Sequence, residues 1–320
     1  MKILLSSMCP LVGQSFQSFI NHFYDWFGMY LIGEKCEFRF LLKEEYFVEN
    51  LKQHIFDNLN PIILTNNEEK IILPDSAGGK NWYNFNGLND VEKGRLKEFL
   101  DFKLGNWTPD IIISQGISSE NFWNGVYPNA MCLIQENGIF SRSPYPRTLS
   151  YDPFSTRNTF LNRFSKDILS IKIDEKQKNS VKKFKKELVA LLEENNSISG
   201  EIVKIKEKFR KTVLLPLSGN FINHYMDDSK YTNDFDLLEY VLKNVPQDIG
   251  VFVTESDLGG ILNDDVCHYF EKRYPHFIFM KRHQSEKYYA SSLPYLSHID
   301  AILNLYSKTG ITGLLYEADY

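Results

Sequence analysis

The residues best equipped for chemistry in this chain stand close together. Gln135, Glu136, Asn137 and Gly138 follow the apolar run Ala130–Ile134, and Arg142 and Arg147 follow in turn, stiffened by Pro144 and Pro146. A carboxylate such as Glu136 can give or take a proton when burial and nearby charge set its pKa. The planar guanidinium of Arg142 or Arg147 matches a carboxylate or a phosphate. The same residues also fit an ordinary turn held by a structural Glu–Arg pair, so they leave two readings open.

Three further stretches carry groups suited to a nucleotide or a sugar. Ser307-Lys308-Thr309-Gly310 follows an apolar run and precedes a helical pattern. Hydroxyls, a glycine and helix-start amides suit a phosphate, or they simply cap the helix. Ser218, Gly219 and Asn220 follow Thr212–Leu217, where they form either a nucleotide contact or a plain strand-to-helix turn. Thr254 and Glu255 lie at the end of the strand-like run Ile249–Ser256, and an acid at such a strand end can bind a ribose diol or remain a solvated loop acid. No GxGxxG follows the first strand of either half, which speaks against a dinucleotide oxidoreductase, and no GxxxxGK[ST] is present, so ATP hydrolysis is not indicated. The seven histidines show no HExxH or other ligand spacing, so no metal site is expected. His283, after a strand-like run, reads as a phosphate contact or a surface histidine. Lys182–Lys186, "KKFKK", reads as a contact for an anionic membrane surface or as a solvated helix face.

These groups must be held by regular elements. Lys2–Ser6 reads as a buried strand, and Phe16, Phe19, Ile20, Phe23, Trp26 and Phe27 recur at helical spacing after it. Short apolar runs follow at 36–42, 61–65 and 70–74. A helical pattern covers 90–104, and strands are expected at 111–114 and 130–134, each introduced by turn residues. Residues 166–211 are rich in Lys and Glu with helical apolar spacing, broken near Ser197–Gly200. They are expected to form a helical inter-domain segment of two helices. A second series begins at Thr212: strand, helix, strand, helix, strand at 276–281, short helix, strand at 299–306, helix. Alternating strands and helices imply mostly parallel sheets, whose ligands sit at the strands' carboxyl ends. The candidate positions are therefore Ser6–Gly13, Ser114–Gly116, Gln135–Gly138, Ser218–Asn220, Thr254–Gly260, Lys281–Gln284 and Ser307–Gly310. The fold class expected is α/β, with two Rossmann-like domains facing a cleft. Residues 1–165 form the first domain, 166–211 the helical segment and 212–320 the second domain.

Composition narrows the function classes. The 320 residues are 43% hydrophobic and 24% charged, as in an ordinary globular protein. A formal net charge of -5 argues against nucleic acid as partner. The four cysteines are widely spaced without a CxxC pair, which fits neither a zinc site nor a disulfide framework and suits a reducing cytoplasm. Pro10 and the early serines break the N-terminal apolar run, so it reads as a strand rather than a signal peptide. No run of about 18 apolar residues is present, and no spanning helix is expected.

Several of these stretches resemble bacterial capsule-polysaccharide glycosyltransferases of the two-Rossmann B fold (GT-B), in particular the Kdo-transferase-like group. The second half carries the likeness in "VLLPLSGN", "DLLEYVLKNVPQDIGVFVTES", "YPHFIFM" and "SSLPYLSHIDAILNLYSKTG". The first half carries it in "IQENGIFSRSPYP", which is similar to that family's Glu-Asp-Gly-Phe-x-Arg segment. The resemblance implies a hexosyl- or Kdo-type transferase. Its nucleotide-sugar donor would lie on the second domain, and a glycan or glycolipid acceptor would meet the first. It implies Glu136 as the catalytic acid or base, with Gly138 and Arg142 in the family's Gly and Arg positions. Arg142 or Arg147 would hold an anionic group. Ser307, Thr309 and Gly310 take the donor-binding turn, joined by Ser218, Gly219, Asn220, Thr254 and Glu255. It implies no cofactor and no metal, cytoplasmic placement, and peripheral association with the inner membrane. Asn137 stands where the family has Asp, and Thr254–Asp257 lacks the family's His-Pro. The family pattern continues beyond the last turn, so a shortened C-terminal part is expected. A nucleotide-sugar epimerase, a polyol-phosphate transferase and a non-catalytic glycan-binding subunit are the alternatives.

Overall fold

The computed structural model describes residues 1–7, 36–43, 62–65, 67–68, 89–115, 119–140, 144–145, 148–154, 159–194, 199–217, 229–255, 261–280, 292–305 and 307–316. The expected helix around Phe16–Phe27 and the expected strand at 70–74 lie outside them. The chain divides into two compact units. Unit 1 holds Met1–Glu136 and Leu149–Ile171, and unit 2 holds Asn137–Thr148 and Lys172–Tyr320.

Unit 1 is built on β1 (Lys2–Ser7), β2 (Glu37–Lys43), β3 (Ile62–Leu64), β4 (Ile111–Gln115), β5 (Met131–Asn137) and β6 (Leu149–Asp152). They form one sheet in the order β3-β2-β1-β4-β5-β6. β1 pairs in parallel with β2 and β4, β2 with β3, and β4 with β5. The strands read as continuous apolar runs because both faces are covered: Leu4 and Leu5, which point to opposite faces, are both fully buried. One face packs on α1 (Asp90–Lys103) and α2 (Ser119–Val126), whose Leu96, Leu100, Trp123 and Val126 meet Leu4, Ile112, Cys132 and Ile134. The start of α1 is fixed by a capping box. Asn89 Oδ1 accepts the Glu92 N–H at 3.0 Å, and Glu92 Oε2 accepts the Asn89 N–H at 2.7 Å. Two short helices, α3 (Phe160–Arg163) and α4 (Ser165–Ser170), close the unit.

Unit 2 contains α5 (Glu175–Glu194), α6 (Ser199–Lys206), β7 (Lys211–Leu217), α7 (Asp234–Asn244), β8 (Ile249–Glu255), α8 (Asp264–Arg273) and β9 (Phe277–Phe279). A 3-10 turn at Leu293–His298, β10 (Ala301–Ile302) and α9 (Thr309–Gly313) follow. Its sheet runs β10-β7-β8-β9, with all pairs parallel. Alternate residues feed two cores. Leu214 and Phe252 meet Leu188, Leu192 and Ile202 of α5 and α6 on one face. Leu215, Val251 and Val253 meet Leu238, Leu242, Cys267 and Phe270 of α7 and α8 on the other. Asn233 and Asn263 cap α7 and α8 by accepting the Asp236 and Val266 N–H groups, each at 2.9 Å. Asp300 holds β10 beside β7, its Oδ2 accepting the Thr212 N–H at 2.7 Å and the Thr212 hydroxyl at 2.9 Å. Burial pushes the Asp300 carboxyl up, but the Thr212 bonds and the Lys206 and Lys211 charges outweigh burial and hold it below its ordinary value.

Both sheets share one arrangement. Three strands are laid down in one direction, and the fourth returns to the other side of the first, giving 3-2-1-4. The α/β expectation of two Rossmann-like units holds in that sense. The boundaries differ from expectation in two places. From Lys172 onward the Lys- and Glu-rich segment belongs to unit 2, because Leu188, Leu192 and Ile202 supply its core. Residues 137–148 also belong to unit 2, although strands of unit 1 flank them in sequence. The physical reason is Tyr145, which is 5% exposed and sits in the core with Leu188, Leu192 and Leu214. Phe140 packs edge-on to Tyr145 at 5.7 Å and to Phe184 of α5 at 6.1 Å.

Candidate functional site

In a doubly wound sheet the crevice opens where the strand order reverses. In unit 1 that point lies between β1 and β4, and in unit 2 between β7 and β10. The carboxyl ends of these strands and their neighbours carry most of the residues singled out from the sequence.

In unit 1, β5 runs through Gln135, Glu136 and Asn137, so Glu136 is a strand residue rather than a turn residue. Its side chain, with Arg142 and Arg147, lies outside the described residues. Gly138 follows at once, and its N–H donates to the Thr148 carbonyl at 2.9 Å, closing the base of 137–148. A Cβ at Gly138 would lie 2.9 Å from Thr148 Cβ and 3.2 Å from its carbonyl carbon, so the approach of these two backbones requires glycine here.

Three polar residues at the strand ends are buried: Ser6 on β1, Ser114 on β4 and Gln135 on β5. Ser6 and Ser114 stand side by side in register. Gln135 is 1% exposed, and among the described residues neither atom of its carboxamide finds a hydrogen-bond partner. A buried amide left unpaired costs about 1–3 kcal/mol. Sequence reading had placed Gln135 in the segment without giving it a role. The available signal is a lone carboxamide ending an apolar strand at the crevice edge. Gln135→Leu is expected to raise the melting temperature of the unliganded protein, since it replaces an unpaired polar group by an apolar one of similar size. A lower melting temperature would show that the amide has partners after all.

In unit 2, Thr254 is fully buried, and its hydroxyl is hydrogen-bonded to Ser292 Oγ at 2.6 Å. Glu255 Oε1 accepts the N–H groups of Ile261 and Leu262 at 2.5 and 2.8 Å. The carboxylate offered for a ribose diol thus ties together the chain on either side of 256–260. Burial raises the Glu255 carboxyl above its ordinary value of 4.5; the two N–H bonds oppose that shift, and the charge of Asp234 adds to it. Because the folded value lies above the unfolded one, this group's contribution to stability is greatest below 4.5. It is lost as the pH rises through the folded value. Glu255→Gln keeps the acceptor and removes the charge. It is expected to melt no lower than the parent at neutral pH and to lose that pH dependence. Glu255→Ala strands two N–H groups and is expected to cost about 2 kcal/mol in denaturant titrations.

After β10, Asn304 Oδ1 accepts the Ser307 N–H at 3.0 Å and Ser307 Oγ accepts the Thr309 N–H at 3.2 Å. The Gly310 N–H donates to the Ser307 carbonyl at 3.2 Å. A Cβ at Gly310 would lie 2.5 Å from Asn304 Nδ2, so glycine lets the Asn304 side chain lie against the turn. Thr309 is buried, and these bonds hold the turn that opens the five-residue α9, whose N-cap position, Lys308, makes no side-chain cap. Ser218, Gly219, Asn220 and His283 lie outside the described residues.

Several solved structures are similar to this chain. KpsC of Thermosulfurimonas dismutans, a beta Kdo 2,7 transferase, matches with a TM-score of 0.49 at 13% identity, over 98% of this chain and 76% of its own. The N-terminal domain of Candida albicans trehalose-6-phosphate phosphatase matches with a TM-score of 0.42 at 11% identity, over 99% and 80%. The UDP-GlcNAc 2-epimerase of Methanocaldococcus jannaschii matches with a TM-score of 0.30 at 11% identity, over 99% and 82%. No family model matches the chain, and no curated protein does.

Among the described residues, no group of three or more His, Cys, Asp or Glu is placed to hold a metal ion. Among the described residues, Cys36, Cys132 and Cys267 form no disulfide. Among the described residues, no helix is long and apolar enough to cross a membrane.

Proposed function

We propose that this protein transfers a sugar from a nucleotide-activated donor to a glycan or glycolipid acceptor. The observation that carries the reading is the 3-2-1-4 order in both sheets, with the Gln-Glu-Asn-Gly segment at the carboxyl end of β5. The likeness of that segment, and of Ser307–Gly310, to capsule-polysaccharide transferases supports it.

In the reaction an acceptor hydroxyl attacks the anomeric carbon, the bond to the phosphate oxygen breaks, and the nucleotide leaves with the electron pair. Glu136 takes the proton of the acceptor hydroxyl. Arg142 or Arg147 holds an anionic sugar or a phosphate by its guanidinium fork. The donor lies at the strand ends of unit 2, near Ser218, Gly219, Asn220 and the Ser307–Gly310 turn. Glu255 acts there through the backbone that it holds, and Thr254 through its bond to the Ser292 hydroxyl. The charge on the leaving phosphate is met by amides and side chains, without a chelated metal or a cofactor.

The test is a thermal-shift series with UDP, CMP and GDP and their sugar conjugates. A ligand that binds the native state is expected to raise the melting temperature by about 5 °C or more at a hundredfold excess over Kd. Release of nucleotide from the best binder, dependent on added acceptor, then marks a transferase. Acceptor-independent conversion of the sugar marks an epimerase instead. Absence of a shift with every nucleotide would sink the reading.

A further inference from the structure

Unit 2 carries a pocket at the end of its sheet remote from the candidate site. The turns 244–247, leading from α7 to β8, and 274–276, leading from α8 to β9, line it, and its volume is about 490 Å³. That lies within the usual range for small-molecule pockets, about 300–1,000 Å³. Both turns sit at the amino ends of parallel strands, whereas Thr254 and Glu255 sit at the carboxyl end of β8. The length of β8 separates the two ends by about 20 Å.

The residue there that the fold does not explain is His276. It is 1% exposed and lines the pocket, yet among the described residues neither ring nitrogen makes a hydrogen bond of normal geometry. Burial holds its imidazole below the ordinary value of 6.5, and the Leu242 carbonyl opposes that shift. The ring is therefore neutral at neutral pH, with one nitrogen to donate and one to accept. Tyr274 adds a buried hydroxyl, and its ring stands edge-on to His276 at 6.2 Å.

The surrounding charges select the ligand. Lys243 and Arg273 line the pocket, and among the described residues no carboxylate does, so a cation is disfavoured. The last turns of α7 and α8 also end here, and their carbonyl ends carry partial negative charge. Those ends disfavour an anion, and Lys243 and Arg273 already complement them. Lys243 is further paired with Glu239 at 3.1 Å. A neutral ligand that both donates and accepts hydrogen bonds meets these conditions. Its donors serve the imidazole nitrogen and the helix-end carbonyls. Its acceptors take the N–H groups of Arg273 and of the Gln247 amide. The Arg273 guanidinium stands 5.9 Å from the centroid of the Tyr274 ring, a contact that keeps it at the pocket wall.

We propose that this pocket is a second binding site, taking one neutral sugar ring at the amino ends of β8 and β9. Each sugar hydroxyl donates and accepts through one oxygen, which is what the mixed lining requires. His276 accepts from a hydroxyl, and Arg273 and Gln247 donate to its neighbours. The site lies wholly within unit 2 and is independent of the reaction proposed above.

The experiment is titration of the full chain with glucose, galactose, N-acetylglucosamine and maltotriose, read by histidine side-chain NMR signals. At least one of these sugars is expected to bind in the millimolar range and to shift the His276 signals, which are identified by their loss in His276→Phe. That variant is expected to bind the sugar about tenfold more weakly and to melt no lower than the parent, since an unpaired polar group is replaced by an apolar one. Arg273→Ala combined with Gln247→Ala, both at exposed positions, is expected to weaken binding about tenfold or more. The double variant should keep the parent's melting temperature and its thermal shifts with nucleotides. The proposal is overturned if none of the four sugars binds, or if the variants bind them like the parent. It is also overturned if inorganic phosphate shifts the His276 signals and the sugars do not, which would make the pocket an anion site. Competition between the sugar and a nucleotide that binds the parent would likewise overturn it, by placing the sugar at the strand ends.

Discussion

Glu136→Gln is expected to lower sugar transfer by about 10²–10⁴-fold while leaving nucleotide-sugar binding nearly unchanged. The amide has the shape of the carboxylate and keeps one acceptor oxygen, so contacts that need only shape survive. It cannot take up the proton of the acceptor hydroxyl. The loss therefore belongs in kcat rather than in donor affinity, which separates a reacting group from a structural one. The pH profile gives a second readout. If Glu136 acts as a base, activity of the parent falls on the acid side as the carboxyl is protonated, and the residual activity of the variant lacks that limb. Two outcomes would redirect the reading. Undiminished transfer would move the base elsewhere on the strand ends. Donor binding without transfer in the parent as well would favour a glycan-binding subunit over an enzyme.

How much of this was legible in the sequence differs from element to element, for physical reasons. The central strands of both sheets are buried on two faces, so β1, β4, β7 and β8 appear as apolar runs bounded by turn residues. The start of α1 is written in Asn89 and Glu92, because a capping box is a local interaction. Strand length is less local. An eight-residue run at 299–306 reads as a strand, yet β10 keeps only Ala301 and Ile302, which pair with Val213 and Leu214. Strand β6 at Leu149–Asp152 was missed, since four residues at the sheet's end of the order carry little periodicity.

The candidate site was legible as places rather than as partners. Glu255 was read as a ribose ligand or a solvated acid. Nothing in its neighbourhood along the chain announces that it accepts the N–H groups of Ile261 and Leu262. Thr254 looked like a strand-end hydroxyl open to a ligand, and its bond to Ser292 joins residues 38 apart in sequence. The Ser307–Gly310 turn is open to both readings in the sequence, and its shape rests on Asn304 and Ser307, which accept the N–H groups of Ser307 and Thr309. Gln135 shows the converse case. Its unpaired carboxamide is visible only once its burial is known.

Tyr145→Ala is expected to destabilise the protein by about 3–4 kcal/mol, measured as a fall in the denaturation midpoint of unit 2. Tyr145 is 5% exposed and packs among Leu188, Leu192 and Leu214, so truncation removes a large ring from a filled core. Phe140 loses its edge-on contact with Tyr145 at the same time. Tyr145→Phe retains the ring and is expected to melt close to the parent. The contrast matters for function because Tyr145 lies between Arg142 and Arg147 in the sequence. The ring is buried in the core of unit 2, so its truncation is expected to be felt by the neighbouring residues of the same segment. Below its own melting temperature, Tyr145→Ala should therefore bind an anionic substrate less tightly, while Tyr145→Phe should not. A loss below about 1 kcal/mol for the alanine variant would show that other residues hold the segment.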